Sequence, residues 1–160
     1  MDKIDRYWMR CSIALSEKAQ GLTSENPNVG CMIIDADGNL CASGYTQVGG
    51  RPHAEQVALK RAGIKANNAT LYVTLEPCAH FGKTSPCVHA IIKAGIKRVV
   101  VGMIDPDTRV NGAGIKQLRK AGVLVETNVL YNEAADAIHS FLARKEKKLN
   151  GQKDVLNGMP

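Results

Sequence analysis

Three short apolar runs, Val29–Asp35, Thr70–Leu75 and Val99–Met103, constrain the fold of this chain more than any other feature. Each is rich in β-branched or aromatic residues and too short for an independent helix, so each reads as a strand. A strand that is apolar on both faces has to be covered on both faces, which is the pattern of α/β sheets. Helical stretches with clear punctuation follow. His53–Ala62 is entered through Pro52 and closed by Gly63, Ser85–Ala94 ends at Gly95, and Ile115–Ala121 has Gly122 as its cap. The first run instead returns through the turn Asp35-Ala36-Asp37-Gly38-Asn39 into Leu40–Thr46, a hairpin.

The ends complete the pattern. Over residues 4–20, Ile4, Trp8, Met9, Cys11, Ile13, Ala14 and Leu15 share a broad helical face, and the helix stops near Gly21, before Asn26-Pro27. A short strand at Val123–Glu126 precedes a long amphipathic helix, Glu133–Lys148. The expected fold is a three-layer α/β/α domain over residues 1–148 with a mixed sheet of about five strands, mainly parallel after the hairpin. A polar, basic and disordered tail is expected over 149–160. One domain suits the 160 residues.

Composition narrows the function classes. With 44% hydrophobic and 22% charged residues, collagen, coiled coil and wholesale disorder are excluded. No apolar run approaches the roughly 18 residues of a membrane span. Met1-Asp2-Lys3-Ile4-Asp5-Arg6 is not a signal peptide, so a soluble cytoplasmic protein is expected, with no membrane partner. The net charge of +6 is misleading, because five basic and two acidic residues in the last 17 positions carry half of it. Phe and Trp total three, which leaves few platforms for stacked bases, and nucleic acid is not an expected partner. Five cysteines, an odd count without a secretion signal, point to reduced thiols; any that cluster would be metal-binding or catalytic.

Ligands in such sheets collect where strands end and helices begin. Two junctions of this chain carry metal-type residues: Gly50-Arg51-Pro52-His53-Ala54-Glu55 and the stretch from Leu75 to Cys87. A catalytic zinc needs three protein ligands and one open position for water. His53, Cys78 and Cys87 supply that set, and one imidazole with two thiolates leaves the site electrically neutral. Residues i and i+2 point apart on a regular helix, so His53 and Glu55 converge only at an irregular helix entry, where Pro52 places them. Glu55 is then the proton carrier between an attacking water and a leaving amine. Cys11, Cys31 and Cys41 read as ordinary buried positions.

His53-Ala54-Glu55 followed by Pro77-Cys78 matches the zinc-deaminase signature of His-x-Glu and Pro-Cys. That signature spaces its thiols Cys-x-x-Cys, whereas eight residues separate Cys78 from Cys87 here. With this long loop, Thr74-Leu75-Glu76-Pro77-Cys78-Ala79-His80-Phe81-Gly82-Lys83-Thr84-Ser85-Pro86-Cys87 closely resembles the deaminase domain of the riboflavin-pathway pyrimidine deaminases, of the cytidine-deaminase-like fold. Asn26-Pro27-Asn28-Val29-Gly30-Cys31, Asp105-Pro106 and Gly112-Ala113-Gly114 extend the resemblance over about residues 4–142. It implies zinc as cofactor, held by His53, Cys78 and Cys87, with Glu55 as catalytic proton shuttle. It further implies that Asn26, His80, Lys83 and Asp105 contact the ring or ribose phosphate of diaminohydroxyphosphoribosylaminopyrimidine.

The chain departs from that family at three positions. Thr46 stands where His is usual, Asp107 where Asn is frequent, and Ser85 where Pro is. Bacterial members often continue into a nicotinamide-dependent reductase, but no dinucleotide fingerprint occurs here. The reductase is a separate protein, or the chain is a truncated or repurposed deaminase. Expected partners are the phosphorylated pyrimidine, a separate reductase and further copies of the chain in a homo-oligomer. The alternatives are the same zinc chemistry on guanine or a cytosine nucleoside, which the long cysteine loop disfavours, and a non-catalytic zinc-binding subunit, which would not need Glu55.

Overall fold

A computed structural model describes residues 2–107 and 111–157. Five strands form one mixed sheet: β1 (Gly30–Ile34), β2 (Leu40–Tyr45), β3 (Thr70–Leu75), β4 (Arg98–Met103) and β5 (Leu124–Glu126). Their spatial order is β2-β1-β3-β4-β5. β1 lies antiparallel to both β2 and β3, while β3, β4 and β5 run parallel. The pairings thus divide evenly, because the hairpin places β1 between β2 and β3. The two central strands are buried along all but their first residues, as two-sided apolar runs require.

Helices cover both faces. α1 (Lys3–Glu17) and α5 (Tyr131–Ala137) pack on one; α2 (Ala54–Ala62), α3 (Cys87–Lys93) and α4 (Ala113–Lys120) pack side by side on the other. The buried stripe of α1 is Asp5, Met9, Ser12, Ile13 and Ser16; Met9 and Ile13 belong to the apolar face expected from the sequence, whereas Ile4 is 60% exposed. Polar residues enter because each finds a bond. Asp5 takes two bonds from Arg98 and one from Tyr72, Ser12 donates to the Trp8 carbonyl, and Ser16 to that of Ile13.

The long helix expected over 133–148 is two helices, α5 and α6 (His139–Asn157), broken at Ile138. Asn28 donates its amide to the Ala137 carbonyl at 2.9 Å, which takes that oxygen out of a continuing helical ladder. The backbone is helical through Asn157, past the start of the tail expected at 149. Leu149, Gln152, Lys153 and Leu156 in this stretch favour helix. Residues 158–160 lie outside the described residues. Among those described, no helix is long and apolar enough to cross a membrane.

The sheet gathers four chain segments at one edge. Leu75 aligns with Met103, so β3 and β4 end together. Gly30 pairs with Tyr45, so the entry to β1 and the exit from β2 meet there as well.

Candidate active site

At that edge the first junction is fixed by glycine and amide chemistry. Gly50 has a φ of +95°, and a Cβ there would meet the Asn26 amide at 2.6 Å and the Thr23 carbonyl at 2.7 Å. Only glycine fits. Asn26 donates to the Gly50 carbonyl at 2.9 Å, locking the turn that leads into Arg51 and a cis Pro52. His53 then caps α2 in an extended conformation (φ −67°, ψ 158°), outside the helical twist. Glu55 is two residues on, inside the first turn. The irregular entry lets the two side chains serve one cavity.

The second junction brings the thiols. Cys78 follows β3 after Glu76-Pro77, and Cys87 is the first residue of α3. The Cys87 backbone N–H donates to the Cys78 sulfur at 3.2 Å. The His53 Nδ1 lies 3.8 Å from Cys78 Sγ and 3.5 Å from Cys87 Sγ, and the three donor atoms fall within 4.8 Å of one another. Tetrahedral zinc bonds of about 2.3 Å to sulfur and 2.0–2.1 Å to nitrogen put such donors roughly 3.6–3.8 Å apart. The donor set and its spacing both fit the ion. Their surroundings act on the two thiols in opposite directions. A hydrogen bond from Cys87, with His53 and the backbone N–H, holds Cys78 down to about 4, whereas that partner and burial push Cys87 far up. The bond to Cys78 likewise raises His53. Burial pushes the Glu55 carboxyl up to about 7, since only 4% of the residue is exposed.

The cavity beside these groups measures about 610 Å³, within the range of small-molecule sites. Asn26, His53, Glu55, Cys78, His80 and Asp105 all line it. Cys87 completes the donor set behind them. Lys83 is exposed on the loop between the thiols and is not part of the lining. Thr46 lines the cavity, but its hydroxyl accepts from the Val29 N–H at 2.9 Å and donates to the Pro27 carbonyl at 3.1 Å. It therefore ties the entry of β1 to the exit of β2 where an imidazole is usual.

Sequence reasoning missed two features. The buried carboxylate of Glu76 accepts backbone N–H groups from Asp105 (3.0 Å), Gly112 (3.1 Å) and Gly114 (3.0 Å). It thereby clamps both ends of the connection from β4 to α4, which carries Asp105 and Asp107. A Cβ on Gly114 would lie 2.3 Å from the Pro77 carbonyl, so glycine permits the approach. A carboxylate directly after an apolar strand, with no cation beside it in sequence, was the available signal. The second feature is Arg51, which lines the cavity and donates to the Thr84 hydroxyl at 2.6 Å.

Comparison with known proteins points one way. Residues 2–103 match the family described as the cytidine and deoxycytidylate deaminase zinc-binding region. The chain is 44% identical over 140 residues to a diaminohydroxyphosphoribosylamino-pyrimidine deaminase of Buchnera aphidicola, covering 88% of this chain and 95% of that protein. It is 46% identical over 139 residues to the riboflavin biosynthesis protein RibD of Aquifex aeolicus, covering 87% of this chain but 39% of that protein. A crystal structure of the diaminohydroxyphosphoribosylaminopyrimidine deaminase/5-amino-6-(5-phosphoribosylamino)uracil reductase of Thermotoga maritima superposes with a TM-score of 0.84. It is 39% identical, over 91% of this chain and 42% of that one. The chain thus spans about two fifths of the length of such two-activity relatives.

Proposed function

The chain belongs to the family of zinc-binding cytidine and deoxycytidylate deaminases, within its diaminohydroxyphosphoribosylaminopyrimidine deaminase branch, and from that premise we propose that it hydrolytically deaminates this pyrimidine ribotide in riboflavin biosynthesis. One observation carries the reading. A buried Glu55 borders the same cavity as His53 and Cys78, whose donor atoms converge with that of Cys87. A structural zinc site would gain nothing from that carboxylate.

Zinc bound by His53, Cys78 and Cys87 would supply Lewis-acid activation of water in the cavity. Glu55 takes a proton from the water that attacks the amine-bearing ring carbon, then delivers it to the departing nitrogen, so that water is consumed and ammonia released. Asn26, with one amide hydrogen engaged at Gly50, offers its remaining amide groups to the pyrimidine edge. His80 and Asp105 border the same space and serve the ring or the sugar. The working unit is residues 1–148. The cytoplasm is its place of action, a reductase takes up the product, and copies of the chain assemble into a homo-oligomer.

Ammonia release measured against the ribotide, cytidine and guanine tests this. Turnover of the ribotide at least tenfold above the other two is the expected result; a preference for guanine or cytidine, or none at all, overturns it.

A further inference from the structure

We propose that Thr46 is a positioning residue for the reaction: its hydroxyl holds the Asn26 amide in the orientation that meets the ring edge of the substrate. This rests on the deaminase reading above. Thr46 is buried and lines the cavity, so a direct contact with the substrate suggests itself first. Its bonds speak against that role. A hydroxyl has one hydrogen to give, and that of Thr46 goes to the Pro27 carbonyl at 3.1 Å, while its oxygen accepts from the Val29 N–H at 2.9 Å. Both partners belong to the segment that follows Asn26.

The place of these bonds in the sheet says what they do. Gly30 pairs with Tyr45, so Val29 and Thr46 form the next antiparallel pair, which in a regular ladder would exchange both backbone bonds. The Thr46 N–H does bond to the Val29 carbonyl, at 3.0 Å, but the Val29 N–H turns to the hydroxyl. The side chain thus completes the last rung in place of its own carbonyl, and the backbone leaves the sheet for the turn in which the Gly50 N–H bonds to the Gln47 carbonyl at 2.8 Å. Half of the Asn26 anchor stands on each side of that rung. On one side Asn26 directly precedes Pro27, and its backbone is tied upstream by Thr23, whose hydroxyl donates to the Asn26 carbonyl at 2.6 Å. On the other, the Gly50 carbonyl that accepts the Asn26 amide at 2.9 Å ends the turn that Thr46 begins. The rung therefore sets the spacing across which this bond forms. With one amide hydrogen held there, the Asn26 oxygen and second hydrogen keep fixed directions, which is the orientation a donor–acceptor edge such as that of an aminopyrimidine requires.

The test is a double-mutant cycle on the ribotide with Thr46→Val, Asn26→Ala and the pair, and with Thr46→Ser as the conservative variant, each first checked for zinc content and Tm. Thr46→Val keeps the shape and removes the hydroxyl. It should lower kcat/KM by roughly three- to tenfold, the size of one hydrogen bond, mainly through KM and with zinc retained. Thr46→Ser should stay within about twofold of wild type. In the Asn26→Ala background, Thr46→Val should cost less than about twofold. An equal loss in both backgrounds overturns the proposal, because Thr46 would then act on the substrate by itself. Wild-type kcat/KM or loss of zinc in Thr46→Val overturns it too, as does a loss in Thr46→Ser as large as in Thr46→Val. Should Thr46→Val not fold, Thr46→Ala takes its place in the cycle. If no pyrimidine is deaminated at all, the functional reading fails. In that case, or if Asn26→Ala alone is too slow to measure, solvent exchange of the Asn26 side-chain amide followed by NMR decides. Slow exchange in wild type and Thr46→Ser, at least about tenfold faster in Thr46→Val, upholds the positioning role. The same rate in all three overturns it.

Discussion

His53 and Cys87 sit at the starts of α2 and α3, whereas Arg51, His80, Thr84 and Asp105 lie in the connections that lead to or away from those helices. Both groups gather at one edge of the sheet, yet different things hold them. The first is placed by local rules: a strand ends, a proline or cap opens a helix, and the side chain at that point has a set direction. The second depends on bonds between segments far apart in the chain, such as Glu76 to Gly112 and Gly114, Asn26 to Gly50, and Arg51 to Thr84. On the proposed function, chemistry is thus built on the frame and recognition on cross-braced loops. Such loops can change substrate preference without disturbing the metal centre.

The sharpest way to break this division is at the metal centre. Cys78→Ser and Cys87→Ser should each lower zinc from about one per chain to a small fraction by elemental analysis, with turnover lost alongside. Full zinc and activity in Cys87→Ser would mean that the long-spaced thiol is not a ligand. Next in size is Glu55→Gln, which keeps the shape and removes the proton carrier. Turnover should fall by ~10²–10⁴, with zinc content and Tm unchanged. Near-normal turnover would eliminate the mechanism.

Glu76→Gln tests the other half. An amide NH2 would face backbone N–H groups that now converge on a carboxylate, leaving at least one unpaired, at roughly 1–3 kcal/mol. The connection carrying Asp105 should loosen, so KM should rise severalfold while zinc stays bound and kcat falls less. Loss of zinc in this variant would show that frame and loop are not separable.

The same division explains what was legible in the sequence. Thr70–Leu75 was readable to the residue because two-sided burial leaves a continuous apolar run. That His53, Glu55, Cys78 and Cys87 would come together was readable because all four stand at or beside junctions between strands and helices. Glu76 and Arg51 were not read, since their partners lie 29–38 and 33 residues away and the one local signal is the place of Glu76 directly after an apolar strand. The polar members of the buried face of α1 were not readable for a related reason. Asp5 is inside because of Arg98, which lies 93 residues along the chain. The break at Ile138 likewise depends on Asn28, 109 residues from the Ala137 carbonyl that it engages. Periodicity reports burial, but not which polar residue will find a partner once buried.

The Asp5 network supplies the last and smallest effect on turnover, and it asks whether the frame itself can be weakened without touching recognition. Arg98 donates to both Asp5 oxygens, at 2.8 and 2.6 Å, and the Tyr72 hydroxyl donates at 2.8 Å. All three residues are remote from the cavity lining. The Arg98 guanidinium, helped by Tyr72, holds the Asp5 carboxyl below its ordinary value of 3.8 against the opposing effect of burial. A carboxyl depressed in the folded state binds fewer protons folded than unfolded near that value, so its contribution is complete above the ordinary value and fades as pH falls through the lower folded one. Asp5→Asn should therefore cost about 1–3 kcal/mol at pH 7, because a partly buried guanidinium loses its counter-charge. The gap from wild type should narrow only below about pH 4. Urea unfolding of both proteins between pH 2.5 and 7 measures this, with kcat/KM at pH 7 read in parallel. Lower stability with kcat/KM unchanged places the network in the frame alone. A matching loss of kcat/KM would show that strain at the start of β4 reaches the loop at its end, and the two halves of the cavity would then be one mechanical unit.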